Sequence, residues 1–116
     1  MPASNPRSGS WSGTRSFLAA VTVADLRYGA LVAGWGDQRR QRMEQSIAAT
    51  TVVPVSDALL TTAAELRHAC RQVGHALHEP VHANDLWIAA SAVHIGAPLL
   101  TADAVFDHVP SLALHR

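Results

Sequence analysis

The chain has 116 residues, which is the size of one domain, and 48% hydrophobic residues provide for a real core. Nine basic residues, all Arg, balance nine acidic ones, so there is no global basic field for nucleic acid, and any such contact must come from local arginines or a metal. A single Cys excludes an intramolecular disulfide and fits a reducing, cytoplasmic compartment; no stretch is long and apolar enough to span a membrane, and no secretory signal is expected.

Residues 1–16, rich in Ser, Gly and Pro and without periodicity, read as a disordered tail, leaving 17–116 as the domain. Phe17 to Val23 is apolar and partly β-branched, a strand. Thr22 and Asp25 have capping-box spacing and are expected to open a helix over Ala24 to Ala33. Gly34-Trp35-Gly36 breaks it. A second helix, Gln38 to Ala49, carries Arg39, Arg40 and Arg42, which either grip phosphates or form a solvated face. Thr51 to Val55 reads as a strand. Ser56 and Asp57 open an amphipathic helix whose core stripe is Leu59, Ala63, Leu66, Cys70 and Val73, with Gly74 as its stop. Cys70 on that stripe is read as a small buried hydrophobe.

His75 to Ala83 is expected to be a loop. Its His75, His78, Glu79 and His82 are either a transition-metal cluster or solvated side chains. The most informative stretch follows, Asn84 to Asp103. Asn84 or a neighbour can cap a helix, and Asp85 in its first turn suits the helix dipole. Leu86 to Ile95 is apolar on every face except Ser91 and His94, so this helix is buried, with Trp87 in the core and His94 near its end. Gly96 ends it, and Pro98 to Thr101 reads as a buried parallel strand with Asp103 just past its end. Ala104 to His108 is a short helical turn, and Leu112 to Leu114 a last edge strand. Strands and helices in this order make an α/β protein with a parallel sheet. In such sheets chemistry collects beyond the strands' carboxyl ends, where Asp85 and Asp103 can face one cleft.

Three segments, TVADLRYGAL, NDLWIAASAVHIG and PLLTAD, together resemble the PIN-domain ribonucleases, and more narrowly the VapC-type toxins of toxin–antitoxin pairs. The resemblance runs from about Phe17 to the end. It implies a compact PIN-like α/β/α sandwich and a metal-dependent endoribonuclease with Mg²⁺ or Mn²⁺ in an acidic site. It also implies an RNA substrate, a homodimer and a cognate antitoxin. Carried over by position, Asp25, Asp85 and Asp103 are the metal-binding and catalytic carboxylates, and Thr101 orders the site. Hard divalent cations take carboxylate oxygens, and clustered aspartates need such a cation. Outside the family, Asp25 reads as a capping residue, Asp85 as a dipole residue and Asp103 as an Asx-turn residue. Tyr28 belongs either to the core or to a dimer surface.

The sequence departs from the family in three places. Residues 1–16 hold neither an apolar run nor an acidic residue to serve as the family's first central strand and first Asp. Asp25 stands where Glu is usual, and Val105 where many relatives carry an acid. The expectation is a partial domain, its first central strand apparently missing and its activity weak or absent. The alternative is a non-catalytic remnant that binds an antitoxin or a second copy. A histidine-loop metal protein is the third reading.

Overall fold

The computed structural model describes residues 17–115; the tail expected over 1–16 lies outside them. The described order is β1 (Phe17–Ala19), α1 (Ala20–Val32), α2 (Asp37–Ala48), β2 (Thr51–Val53), α3 (Asp57–Gln72), α4 (Ala83–Ile95), β3 (Leu99–Leu100) and β4 (Leu114–His115). Single 3₁₀ turns at Ala76–His78, Pro80–His82 and Ala104–Phe106 punctuate the connections. This is the expected α/β succession. Both strand pairs are parallel: β1 lies on β2 with Phe17 opposite Thr51, and β3 lies on β4 with Leu99 opposite Leu114. Among the described residues no strand joins the two pairs, so each sheet has two strands.

The first helix corrects the expectation. The chain is helical from Ala20, and Val21, Thr22 and Val23 lie inside α1, not in a strand. Thr22 is no cap: Ala19 holds the N-cap position, with extended backbone and no side-chain bond to the helix. The β-branched triplet favours a strand only weakly, and packing overrides such propensities. Val23 and Ala30, seven residues apart on one face, are the only buried positions of α1. The helix ends at Gly34, whose φ of 70° suits a residue without Cβ. There the Trp35 N–H donates back to the Ala30 carbonyl at 3.0 Å, closing a Schellman turn.

α2 buries only Ile47. It is clipped to α1 by Arg27, whose Nε and Nη2 donate to the two Glu44 oxygens at 3.0 and 2.9 Å. Hydrogen bonding to Arg27 holds the Glu44 carboxyl below its usual range. On α3 the Ser56 hydroxyl caps the helix by accepting from the Leu59 N–H at 3.1 Å. The predicted stripe is buried at Leu59, Ala63, Leu66 and Cys70. Val73 is 66% exposed, because it sits at the C-cap where the helix has stopped turning. Burial pushes the Cys70 thiol up.

α4 is the buried element. Leu86, Ala89, Ala90, Ser91 and Ala92 are enclosed, while Trp87, Ile88 and Val93 pack partly buried against the same core. The buried Ser91 hydroxyl is satisfied within the helix by the Trp87 carbonyl at 2.8 Å. Its small side chains let α3, the Leu77 turn, Phe106 and Val109 close around it. Gly96, at φ 68°, ends the helix as predicted. Three smaller expectations shift. β2 stops at Val53, the last strand is Leu114–His115, and the loop before α4 contains two 3₁₀ turns. His94 is exposed. Among the described residues no helix is long and apolar enough to cross a membrane.

Candidate functional site

The predicted acidic residues come from three parts of the fold. Asp85 lies in the first turn of α4, where a carboxylate meets the positive end of the helix dipole. One of its oxygens is 3.4 Å from His82 Nδ1, in the turn just before the helix. Asn84, expected as a possible cap, makes no such bond; His82 holds the N-cap position without a side-chain bond. The Asn84 amide points instead to α1, where its Nδ2 donates to Asp25 at 3.3 Å. A bond across 59 residues thus ties the Asp25 carboxylate to the residue that immediately precedes Asp85.

Asp103 follows β3. The chain turns back at Gly96, and the Ala104–Phe106 turn after β3 packs against α4. The Asp103 N–H donates to the Thr101 hydroxyl at 3.0 Å, and Asp103 Oδ1 accepts from the Val105 N–H at 3.0 Å. Thr101 therefore orders the segment that carries Asp103. Val105 contributes its backbone to that turn.

Among the described residues no three His, Cys, Asp or Glu side chains come together as a ready metal-holding group, and the three aspartates are no exception. No described Lys or Arg pairs with Asp25, Asp85 or Asp103. Carboxylates without Lys or Arg partners are the donor chemistry of hard divalent ions, and Mg²⁺ is usually held by only one or two carboxylates because it keeps several waters. By donor type the residues fit such an ion.

The histidine loop is built differently from a metal cluster. His75 Nδ1 accepts from the Leu77 N–H at 3.0 Å, which leaves Nε2 to donate to the Asp107 carbonyl at 2.8 Å. His78 Nδ1 meets the His75 carbonyl at 2.6 Å, and Arg67 donates to the His78 carbonyl at 2.9 Å. Both imidazoles staple the loop to itself and to the last turn. Of the loop's histidines, His82 is the one beside a candidate carboxylate, that of Asp85.

Beside Asp25 opens a cleft of about 710 Å³ between α1 and α2, whose walls include Asp25, Trp35, Arg39, Arg42 and Met43. The Arg39 guanidinium stacks over the Trp35 ring, 3.8 Å from its centre. Sequence reasoning took Trp35 only as part of a helix break. The signal was an aromatic residue four positions before an Arg, at the mouth of a helix.

Comparison with known proteins shows the family. Residues 8–112 match the model of the PIN domain. The chain is 39% identical over 107 residues to Ribonuclease VapC5 of Mycobacterium tuberculosis, covering 88% of this chain and 76% of that protein. In fold it is similar to the crystal structure of VapBC2 from Rickettsia felis bound to a DNA fragment from their promoter. The TM-score is 0.69 and the identity 24%, over 85% of this chain and 72% of that one. The family match spans nearly the whole described chain and takes in α1, α4 and Asp103. The chain therefore belongs to the PIN-domain family, and within it to the VapC type.

Proposed function

We propose that this chain is a VapC-type endoribonuclease that hydrolyses RNA phosphodiester bonds with a divalent ion, Mg²⁺ or Mn²⁺. The observation that carries the reading is the 39% identity to Ribonuclease VapC5 across 88% of the chain. The arrangement at the start of α4 supports it, since Asn84 ties Asp25 of α1 beside Asp85.

In this reading Asp85 and Asp103 hold the ion and Asp25 supports it or orients the attacking water. When bound, the ion supplies an activated water and neutralises charge on the phosphate oxygens. Asn84 donates to one Asp25 oxygen and so fixes the direction of that carboxylate. Thr101 and the Val105 N–H fix Asp103, leaving its second oxygen for the ion. His82 beside Asp85 is placed to hold that carboxylate's rotamer. The partners that go with this reading are an RNA substrate, a cognate antitoxin and a second copy of the chain, and the compartment is the cytoplasm.

The test is cleavage of single-stranded RNA by the purified chain with Mg²⁺ or Mn²⁺, beside Asp85→Asn, with circular dichroism on both. Asp85→Asn is expected to lose about 100-fold or more, the scale of several kcal/mol of charge stabilisation. A folded chain inert with either metal overturns the reading in favour of a non-catalytic antitoxin-binding module.

A further inference from the structure

The cleft between α1 and α2 carries chemistry that the aspartates do not use. Trp35 lies at its mouth, where its backbone N–H donates to the Ala30 carbonyl. One face of that ring is covered by Arg39. Arg39 and Arg42 are in no ion pair among the described residues, whereas Arg27 and Arg40 are each matched by a carboxylate. A chain of zero net charge thus keeps two uncompensated guanidiniums in one cleft with an aromatic face. Asp25 lines the same cleft and touches the start of α4, so the cleft opens directly onto the candidate site. Its volume of about 710 Å³ is that of a ligand pocket.

Resting on the ribonuclease reading, we infer that this cleft seats a nucleotide of single-stranded RNA next to the scissile phosphate, its base on Trp35 and its phosphates on Arg39 and Arg42. Every base has a π-face, and an aromatic ring beside cationic side chains is the arrangement that binds single strands with little sequence preference. The base takes the place of Arg39 on the ring, and the released guanidinium swings to a phosphate, to which it is matched in shape. Trp35, Arg39 and Arg42 are positioning residues; they set which bond reaches Asp85. Charge complementarity favours RNA over a protein segment here, because a protein partner would need acidic residues to answer both arginines.

The experiment measures binding of a fluorescently labelled, mixed-sequence single-stranded RNA by anisotropy, in EDTA so that nothing is cut, over a range of salt. Trp35→Ala is expected to weaken binding about tenfold and Trp35→Phe to restore most of it. Arg42→Gln is expected to flatten the slope of log affinity against log salt by about 0.7, the value for one phosphate contact on a single strand. In cleavage assays with metal, Trp35→Ala raises KM, and Trp35→Phe returns it toward the parent value. Arg42 is exposed, so its variant folds as the parent does, and the salt slope is a readout that a purely structural residue does not move. Unchanged affinity and slope in both variants, with the parent still binding RNA, overturns the inference, leaves the ribonuclease reading intact and assigns the cleft to a protein partner. A parent chain that neither binds nor cuts RNA overturns both.

Discussion

The two halves of the molecule are built to different rules. α3 and α4 bury nine residues between them and share one core with Leu77, Phe106 and Val109. α1 and α2 bury three, Val23, Ala30 and Ile47, and expose Tyr28, Leu31 and Val32 to solvent. Where α3 is capped by a side chain and filled with aliphatic contacts, α1 has no side-chain cap and α2 is held to it by an exposed Arg27–Glu44 pair. Exposed pairs of that kind contribute little to stability. On the proposed function, the difference divides stability from recognition. The α3–α4 half supplies the scaffold and Asp85, and the α1–α2 half supplies Asp25 and the arginine-lined cleft on a frame that buries little.

That division is broken most severely in the core. Leu59→Ala removes a side chain that is 1% exposed and is expected to cost about 2–5 kcal/mol, read by urea denaturation. A cost as small as that of a surface change would show that α3 is not the scaffold. Next in size is the α3 cap: Ser56→Ala leaves the Leu59 N–H without its acceptor, at about 1 kcal/mol by the same measurement. Smallest is Leu31→Ser on α1, where the side chain is 64% exposed and stability should move by no more than about 0.5 kcal/mol. A loss on the scale of Leu59→Ala would place α1 inside the same cooperative core and erase the contrast.

Much of this was legible in the chain itself. The α3 stripe announced its buried face by spacing alone, because burial on a helix follows the 3.6-residue period. The apolar run of α4 announced an enclosed helix for a different reason, since it leaves almost no polar face for water. Thr22 and Asp25 misled, because the capping-box pattern is local while the start of α1 is decided by the turn out of β1. Val73 misled because periodicity does not say where a helix stops. At the site, Asp85 and the Thr101–Asp103 pairing lie within short windows that a motif can hold. The Asn84–Asp25 bond and the closeness of Trp35 and Arg42 to Asp25 depend on how distant helices pack, and no local spacing encodes that.

The two parallel ladders also differ in what it takes to assemble them. β3 meets β4 by closing the chain from Leu99 to Leu114, whereas β1 meets β2 only after Phe17 is brought to Thr51, across a segment more than twice as long that includes both α1 and α2. Loop-closure entropy grows with the logarithm of length, so the longer loop costs only about 0.7 kcal/mol more. The ladders therefore differ much more in the length of chain they enclose than in the cost of closing it. The carboxy-terminal pair is closed by a short local segment, while the amino-terminal pair is closed around two helices that bury little of their own.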